Sequence, residues 1–569
     1  MSLNYPIIEA GVLVIGGGSA GAMAAIRAKE INPGQNVVIF EKSDITYSGC
    51  IARGMDALNI VAVPGVSTPE LYVESNRIAC DGIMDEPVSH RMAARSWDLL
   101  KKLESWGVCF PVDAKGQYEI LQVHPKGKFC VTMKEPELKA ILARRLMEAG
   151  VKVFNRTMAA QLLKDGEAVT GAIGMNVRTG EIIVCKAKAV ILSAGGTARF
   201  GLPNNGYLYG VFDFPGNTGD GYCLAYKAGA QLSGFEYTMV SCLIKDINAP
   251  LLYITLTRGA ELINAFGQPL TSGHISKNSM LAEHRSGRGP LRIVMSHLPE
   301  ERIRAIEEIL FTTERPVQER FFQGREVNFR TGAIELWPTE CSLCGGHGLT
   351  GVRVNEKAET NVAGLYAAGD TSLVARGHLS GAFVYGEIAA ESASERGEAI
   401  GAVELDTRQV EAFARERDER LSRGANRLAV EEFEYKVRRI INDYVVPPKN
   451  EYKLDRALWW MERFRKELAD LVHVGDIHDL FKVYEIENII QCATMSAFAS
   501  KERKESRWGF WHSRSDYPEK NDKDWLKHIV LTMGEEPADV EVSWADIVTM
   551  ESAKKRGPHG RGGRGEGRP

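Results

Sequence analysis

Long apolar runs are what this sequence most plainly lacks. No stretch approaches the roughly 18 apolar residues that a membrane-crossing helix requires, so a direct membrane span is not expected. An excess of positive charge is missing too: 70 Lys and Arg stand against 74 Asp and Glu, for a net charge of -4. That balance gives no reason to expect a nucleic-acid partner. Cysteines are few and scattered, ten in 569 residues with only Cys341 and Cys344 closely spaced. This excludes a disulfide framework and suits a reduced compartment. The N-terminus runs almost directly into an apolar strand, leaving no room for a signal peptide, and the expected location is cytoplasmic. One Cys-x-x-Cys without a second pair is half of a zinc or iron-sulfur site, so no metal centre is expected within the chain. A redox dithiol and two packed, reduced thiols are the other readings of Cys341 and Cys344.

What is present is more specific. The run Gly11-Val12-Leu13-Val14-Ile15 opens onto Gly16-Gly17-Gly18-Ser19-Ala20-Gly21, then an alanine-rich segment, then Val37-Val38-Ile39-Phe40-Glu41. This is a β-α-β unit carrying the dinucleotide fingerprint. Gly16 permits the tight turn, Gly18 lets the backbone approach a pyrophosphate, and Gly21 lets helix and strand pack. The phosphates would rest on the free N–H groups at the helix start, and Glu41 lies where a carboxylate can accept from ribose hydroxyls.

A chain of this length needs several domains. Residues 42–59 are rich in small side chains, Ser48-Gly49-Cys50 among them, so their backbone can lie against a flat cofactor. An ordinary Ser/Gly loop is the plainer alternative. Periodicity predicts helix over 69–106 and 134–150, and a strand and meander between 151 and 184. Residues 189–196 read as a buried strand ending in Ala194-Gly195-Gly196, a second backbone segment against the same cofactor. Asp220 can cap the helix that follows it. The cationic segment with His124, Lys126 and Lys128 faces either an anion or solvent. Residues 236–340 differ in texture and read as an insertion. The dinucleotide texture returns at 364–370, ending in Gly369-Asp370, with Arg376, Ser380 and Ala382 soon after, which implies a discontinuous domain. From 406 to 504 the chain reads as helical, with Trp459, Trp460, Phe464, Leu468 and Leu471 on a packing stripe. The Gly/Arg-rich end reads as a disordered, solvated tail.

The ordered series Gly16 to Gly21, Glu41-Lys42, Ser193-Ala194-Gly195-Gly196, Asn217-Thr218-Gly219-Asp220-Gly221, Ala367-Ala368-Gly369-Asp370 and Glu505-Ser506-Arg507 resembles the succinate dehydrogenase/fumarate reductase flavoprotein superfamily. The resemblance extends to about residue 530. It implies an α/β fold with an α+β insert: a Rossmann-like FAD-binding domain built from 1–235 and 341–404. A capping domain over 236–340, a C-terminal helical domain over 405–550 and a disordered basic tail over 551–569 complete it. It also implies that the dinucleotide is FAD. The attachment histidine of the covalent flavoproteins has no counterpart at Ser48-Gly49-Cys50, so the FAD is expected to be non-covalent. The dicarboxylate enzymes follow Glu-Phe with His-Pro-Thr, whereas Glu236-Tyr237 is followed here by Thr238-Met239-Val240-Ser241. Their arginine segment is replaced by Arg288-Gly289-Pro290-Leu291. Residues 48–59, 243–250 and 380–383, together with Gly345-Gly346-His347, look instead like the alpha chain of adenylylsulfate reductase, which is paired with a small ferredoxin-like iron-sulfur subunit.

A flavin exchanges hydride or single electrons, so the protein need only position the substrate and tune charge. Arg258, Arg285, Arg288, His347 and His378 are the catalytic candidates, and each arginine has a surface ion pair as its plain alternative. Arginine binds carboxylates and phosphates bidentately and histidine moves protons near neutrality, which points to an anionic small molecule. The cofactor candidates are Gly16, Gly18, Ser19, Ala20, Gly21, Glu41, Lys42, Ser48, Gly49, Cys50, Ala194, Gly195, Gly196, Asp220, Gly369, Asp370, Arg376, Ser380 and Ala382. The expected function is an FAD-dependent oxidoreductase exchanging electrons between a polar anionic molecule and an iron-sulfur partner. A fumarate-reductase-like or other C=C reductase is the alternative. The third reading is a non-catalytic flavin subunit for electron transfer.

Overall fold

The computed structural model describes residues 5–203, 207–270, 277–314, 318–422 and 428–556. Its centre is a sheet in the order Lys152–Phe154, Val37–Phe40, Ile7–Ile15, Ile182–Leu192, Ala168–Asn176, Thr157–Asp165, with Leu365–Ala367 also pairing Ile182–Leu192. The first four strands and Leu365–Ala367 run parallel, and the last two turn back antiparallel. Val12, Leu13 and Val14 are fully buried, as expected of a parallel strand covered on both faces, whose sequence is a continuous apolar run. Helix Ser19–Ile31 buries Ala20 through Ile26 and packs on helix His378–Ala399. Small side chains on both sides allow that close approach.

Residues of the insertion form their own antiparallel sheet, in the order Met239–Ile244, Ala333–Ser342, Leu291–Val294, Glu261–Ile263. A separate apolar core supports it, with Ile254, Leu262, Leu291, Ile293, Ile306, Leu310 and Leu336 at its centre. Beyond residue 405, helices Thr407–Leu421, Val430–Tyr444, Glu451–Leu471 and Ile477–Glu502 pack together. Trp460 stacks on Phe464, but Trp459 is 42% exposed and lies under the Arg456 guanidinium. Trp459 therefore leaves the packing stripe on which the periodicity placed it.

Three other expectations need correction. The stretch 405–550 is not wholly helical: Lys527–Met533 and Val540–Asp546 form a hairpin that joins Leu232–Ser233 and Gly351–Val352 in a sheet. Its alternating apolar residues are a β signal hidden behind a long helical run. The helix expected over 134–150 begins at Leu138, because Cys130–Glu135 is recruited as a strand by Met55–Leu58. The tail expected from 551 starts as helix Met550–Arg556, held by reciprocal bonds between Thr549 and Ser552 and by Met550 N–H donating to Glu86. Residues 557–569 lie outside the described residues. No helix among the described residues is long and apolar enough to cross a membrane.

A buried ion network ties the sheet domain to the C-terminal helices. Arg199 binds Glu434 and reaches Glu485 at 2.5 Å, all three about 1% exposed, and Glu434 also holds Arg438 at 2.9 Å. Removing one partner strands the others in a low-dielectric interior. Arg199→Met is expected to destabilise the fold by about 3 kcal/mol or more, read as a lowered thermal midpoint; an unchanged midpoint would refute it.

Candidate active site

The site begins at the carboxyl ends of adjacent parallel strands. Gly16 has φ +95 and a Cβ there would lie 2.5 Å from Ser193 O, so only glycine fits the turn. Gly49 (φ +81) brings the 48–53 segment against Gly18, with a Cβ 3.0 Å from Gly18 Cα. Between these loops the start of helix Ser19–Ile31 carries no side-chain cap and no acidic residue in its first turn. Its N–H groups suit a phosphate. Glu41 is 4% exposed; its Oε2 accepts from Gly17 N–H at 2.7 Å and its Oε1 from Ser43 N–H at 2.8 Å. A carboxylate so oriented keeps lone pairs for ribose hydroxyls.

These loops border a single cleft at the carboxyl ends of the strands. Gly16, Gly18, Ser19, Ala20, Glu41, Lys42, Ser48, Gly49, Cys50, Ala194, Gly195, Asp220, Gly369, Asp370 and Ala382 line it, with His347 and His378 at one end. Ser48 Oγ is buried without a hydrogen-bond partner, and it faces the cleft as a group waiting for a ligand. The residues present thus fit a dinucleotide. Lys42 lines the cleft without serving it: its ammonium is held by Asp220 and Glu485, both at 2.8 Å. Burial opposes that charge, but the two carboxylates raise its pKa above the usual lysine value. Gly21, Gly196, Arg376 and Ser380 do not line the cleft. Gly21 packs on Gly16 O, Gly196 on Leu343 O, and Ser380 Oγ accepts from Ile60 N–H at 2.9 Å.

Of the catalytic candidates, the structure joins the histidines and separates the arginines. His347 Nδ1 and His378 Nδ1 are 3.1 Å apart. Arg258 donates to Ile254 O at 3.0 Å and Glu119 at 3.3 Å, and the exposed Arg288 is clamped by Glu283 at 2.9 and 2.8 Å. Arg285 lies over Phe510. None of the three lines the cleft. Arg376, expected beside the cofactor, sits instead among Tyr237, Tyr72 and Cys80; burial opposes its charge, but interactions with these three groups, including a side-chain hydrogen bond to Tyr237, raise its pKa. Tyr72 and Tyr237 are almost fully buried, and neither hydroxyl completes a well-formed hydrogen bond.

Burial disfavours the charged forms of a neighbouring acid and of the nearby thiols. It pushes the Asp370 carboxyl up to about 6, with Asp213 adding to the effect. It also raises the Cys50 and Cys344 thiols well above their ordinary values and Cys341 to about 12. All ten cysteines are unbridged, and Cys341 and Cys344 are both buried thiols. Among the described residues no group of three or more His, Cys, Asp or Glu is placed to hold a metal ion.

Sequence reasoning missed several groups. Lys139 donates to Gly17 O at 2.5 Å beneath the phosphate loop, its pKa lowered to about 8 by burial; nothing in a helix pattern marks it. His124 Nε2 bonds Asn59 O at 3.0 Å and its ring meets Tyr72, Phe129 and His378 edge to face. Its cationic segment is visible in the sequence, but not its direction. Tyr72 reads as ordinary helix core.

A cleft at the ends of parallel strands that fits a dinucleotide, with two histidines on its lining, is the arrangement a flavoprotein oxidoreductase needs. The chain belongs to the FAD binding domain family, whose model matches residues 11–385, and the fumarate reductase flavoprotein C-terminal model matches 434–559. It is thus an FAD-dependent oxidoreductase of the succinate dehydrogenase/fumarate reductase flavoprotein superfamily. It is 26% identical over 553 residues to an uncharacterized FAD-dependent oxidoreductase of Methanocaldococcus jannaschii, covering 91% of this chain and 96% of that one. A subunit of the CoM/CoB fumarate reductase of Methanothermobacter marburgensis is 25% identical over 590 residues, covering 94% and 99%. The fold matches adenylylsulfate reductase from Archaeoglobus fulgidus with a TM-score of 0.87 at 23% identity, covering 96% and 97%.

Two outcomes are expected. Acid precipitation should release the flavin into the supernatant; flavin left on the polypeptide would reveal a covalent bond. Glu340 is 3% exposed, Oε1 accepting from Phe212 N–H at 2.7 Å while Oε2 has no partner, and burial pushes its pKa up to about 7. The folded state therefore binds the extra proton between about pH 4.5 and 7, and Glu340's contribution is lost as pH rises through 7. Glu340→Gln should stabilise the protein by about 2 kcal/mol at pH 8 and by much less at pH 5. Equal effects at both pH values in denaturant titrations would refute this.

Proposed function

We propose that the protein is the catalytic flavoprotein subunit of a heteromeric oxidoreductase, exchanging electrons between a polar anionic small molecule and a small ferredoxin-like iron-sulfur subunit. In this reading FAD is held non-covalently by the Gly16 to Ala20 loop, Glu41, the Ser48 to Cys50 segment, Ala194, Gly195 and Asp370. When bound, it supplies hydride or single-electron transfer. The observation that carries the substrate class is Arg376: a guanidinium with no carboxylate partner among the described residues, flanked by two buried phenols whose hydroxyls lack complete hydrogen bonds. An incoming anion completes all three groups at once, and a buried arginine left with neutral neighbours is otherwise costly. His378 lies two residues away at the cleft, so an anion on Arg376 is presented to a proton carrier. Adenylylsulfate is the specific form favoured by the resemblance of residues 48–59 and 345–347. A relative named as part of a fumarate reductase supports a heteromeric assembly, and ten unbridged cysteines support a cytoplasmic location.

The test uses the FAD-loaded chain. Sulfite should bleach the flavin absorbance by forming an adduct, and Arg376→Gln should weaken that binding by about tenfold to a hundredfold, the worth of a hydrogen bond to a charged group. The flavin content of the variant should stay unchanged. Sulfite affinity indifferent to Arg376→Gln would overturn the assignment of Arg376. Fumarate-dependent reoxidation of the reduced protein without any sulfite adduct would replace the sulfur-oxyanion reading by a C=C reductase.

A further inference from the structure

The two imidazoles at the cleft are bonded to each other, and the backbone forces them to be. Gly348 O accepts from Arg376 N–H and Gly346 O from His378 N–H, both at 3.0 Å, locking residues 346–348 to 376–378. Arg376 (φ +52) and His378 (φ +50) both occupy the left-handed region. Strain at two non-glycine residues this close persists only where the surroundings over-determine it, which is characteristic of functional segments. The product of that geometry is the 3.1 Å contact between His347 Nδ1 and His378 Nδ1.

Two ring nitrogens at this distance share one proton: two N–H groups would clash and two lone pairs would repel. The acceptor ring must therefore carry its own proton on Nε2. We propose that His347 and His378 form a two-imidazole proton relay serving the cleft. A proton taken up at Nε2 of one ring sends the shared Nδ1 proton across to the other ring, which releases its own Nε2 proton. One proton enters, one leaves and no electrons move. Each ring ends in the opposite tautomer, restored by a proton passing the other way or by ring rotation. The intact pair holds at most one positive charge, because a second would put protons on both facing nitrogens.

The surroundings bear on how long that charge stays. His124 meets His378 edge to face and Phe212 packs on His347. Arg376 lies on the same segment as His378, with Tyr72 and Tyr237 beyond it. Cys344 Sγ accepts from His347 N–H at 3.5 Å, and the Asp370 carboxylate, next to Asp213 and Cys50, accepts from Gly346 N–H. The identity of the proton acceptor, an anion on Arg376, rests on the function proposed above; the relay geometry does not.

The experiment is nitrogen NMR on the FAD-loaded full chain labelled with ¹⁵N-histidine. The expected result is one pair of imidazole nitrogens coupled through a hydrogen bond, with intermediate shifts at all four nitrogens as the two tautomers exchange. The pair should take up a single proton across the range about 5–8 before the coupling is lost. His378→Gln, its fold verified by flavin content, should abolish the coupling and change the pH dependence of the His347 nitrogen shifts. Absence of the coupling, a single fixed tautomer, or two titrations unaffected by His378→Gln would overturn the proposal. No substrate is present, so failure of the anion reading leaves this result intact.

Discussion

One row of residues across three strands organises everything else. Ile15 pairs with Leu192 and Leu192 with Ala367, all parallel, so three chain segments far apart in sequence end at the same edge of the sheet. Each then breaks into a turn of small residues: Gly16 to Gly18, Ser193 to Gly196, and Ala368 to Asp370. Parallel strands share the direction in which their carboxyl ends point, and the crevice outside those ends is where such sheets bind ligands. The cleft is a consequence of register. A slip of one strand by one residue would turn its glycines away from the cofactor and its apolar run out of the core.

Charge is distributed around that edge by burial more than by counting. Lys42 directly follows the ribose-binding acid, yet its ammonium belongs to Asp220 and Glu485. Through Glu485 and Arg199 it connects to Glu434 and Arg438. A desolvated chain of alternating charges contributes little net stability against an apolar alternative, but it is intolerant of any misplacement. Its value here is registration: it fixes helices Val430–Tyr444 and Ile477–Glu502 against the wall of the cleft. A second such chain, Glu236 to Arg503 to Glu505 to Arg507, does the same where the insertion meets the C-terminal segment.

How much of this is legible in the sequence follows from the same physics. The cofactor cleft is readable because backbone chemistry leaves local traces: a continuous apolar strand, glycine where a Cβ has no room, an acid at a set distance. Most of the expected lining residues face the cleft, and those that do not, such as Gly21 and Ser380, serve it from one layer behind. The substrate side is readable only by residue type. Arg258, Arg288 and Arg376 look equivalent in a sequence, because what separates them is whether Glu119, Glu283 or, among the described residues, nothing acidic lies opposite, and that is tertiary information. The hydroxyls of Tyr72 and Tyr237 are invisible for a related reason: an aromatic residue on an apolar helix face or strand gives no sign of where its polar end stops. The strand Lys527–Met533 escapes notice because its pairing strand, Leu232–Ser233, lies about 300 positions away.

The sign of the potential at the reacting end of the cleft emerges from these buried states taken together. Three groups there could be anionic, Asp370, Cys50 and Cys344, and burial raises all three. At neutral pH the thiols contribute no charge and Asp370 ionises only against the cost of its surroundings. Arginine cannot escape in this way, because its guanidinium stays protonated under any condition the fold survives. Burial therefore disfavours the thiolates, but Asp370, raised only to about 6, still carries its charge at neutral pH, while the positive charge of Arg376 stays in place. In the proposed reading, an anion arriving at Arg376 would complete the hydrogen bond that the Tyr72 hydroxyl lacks.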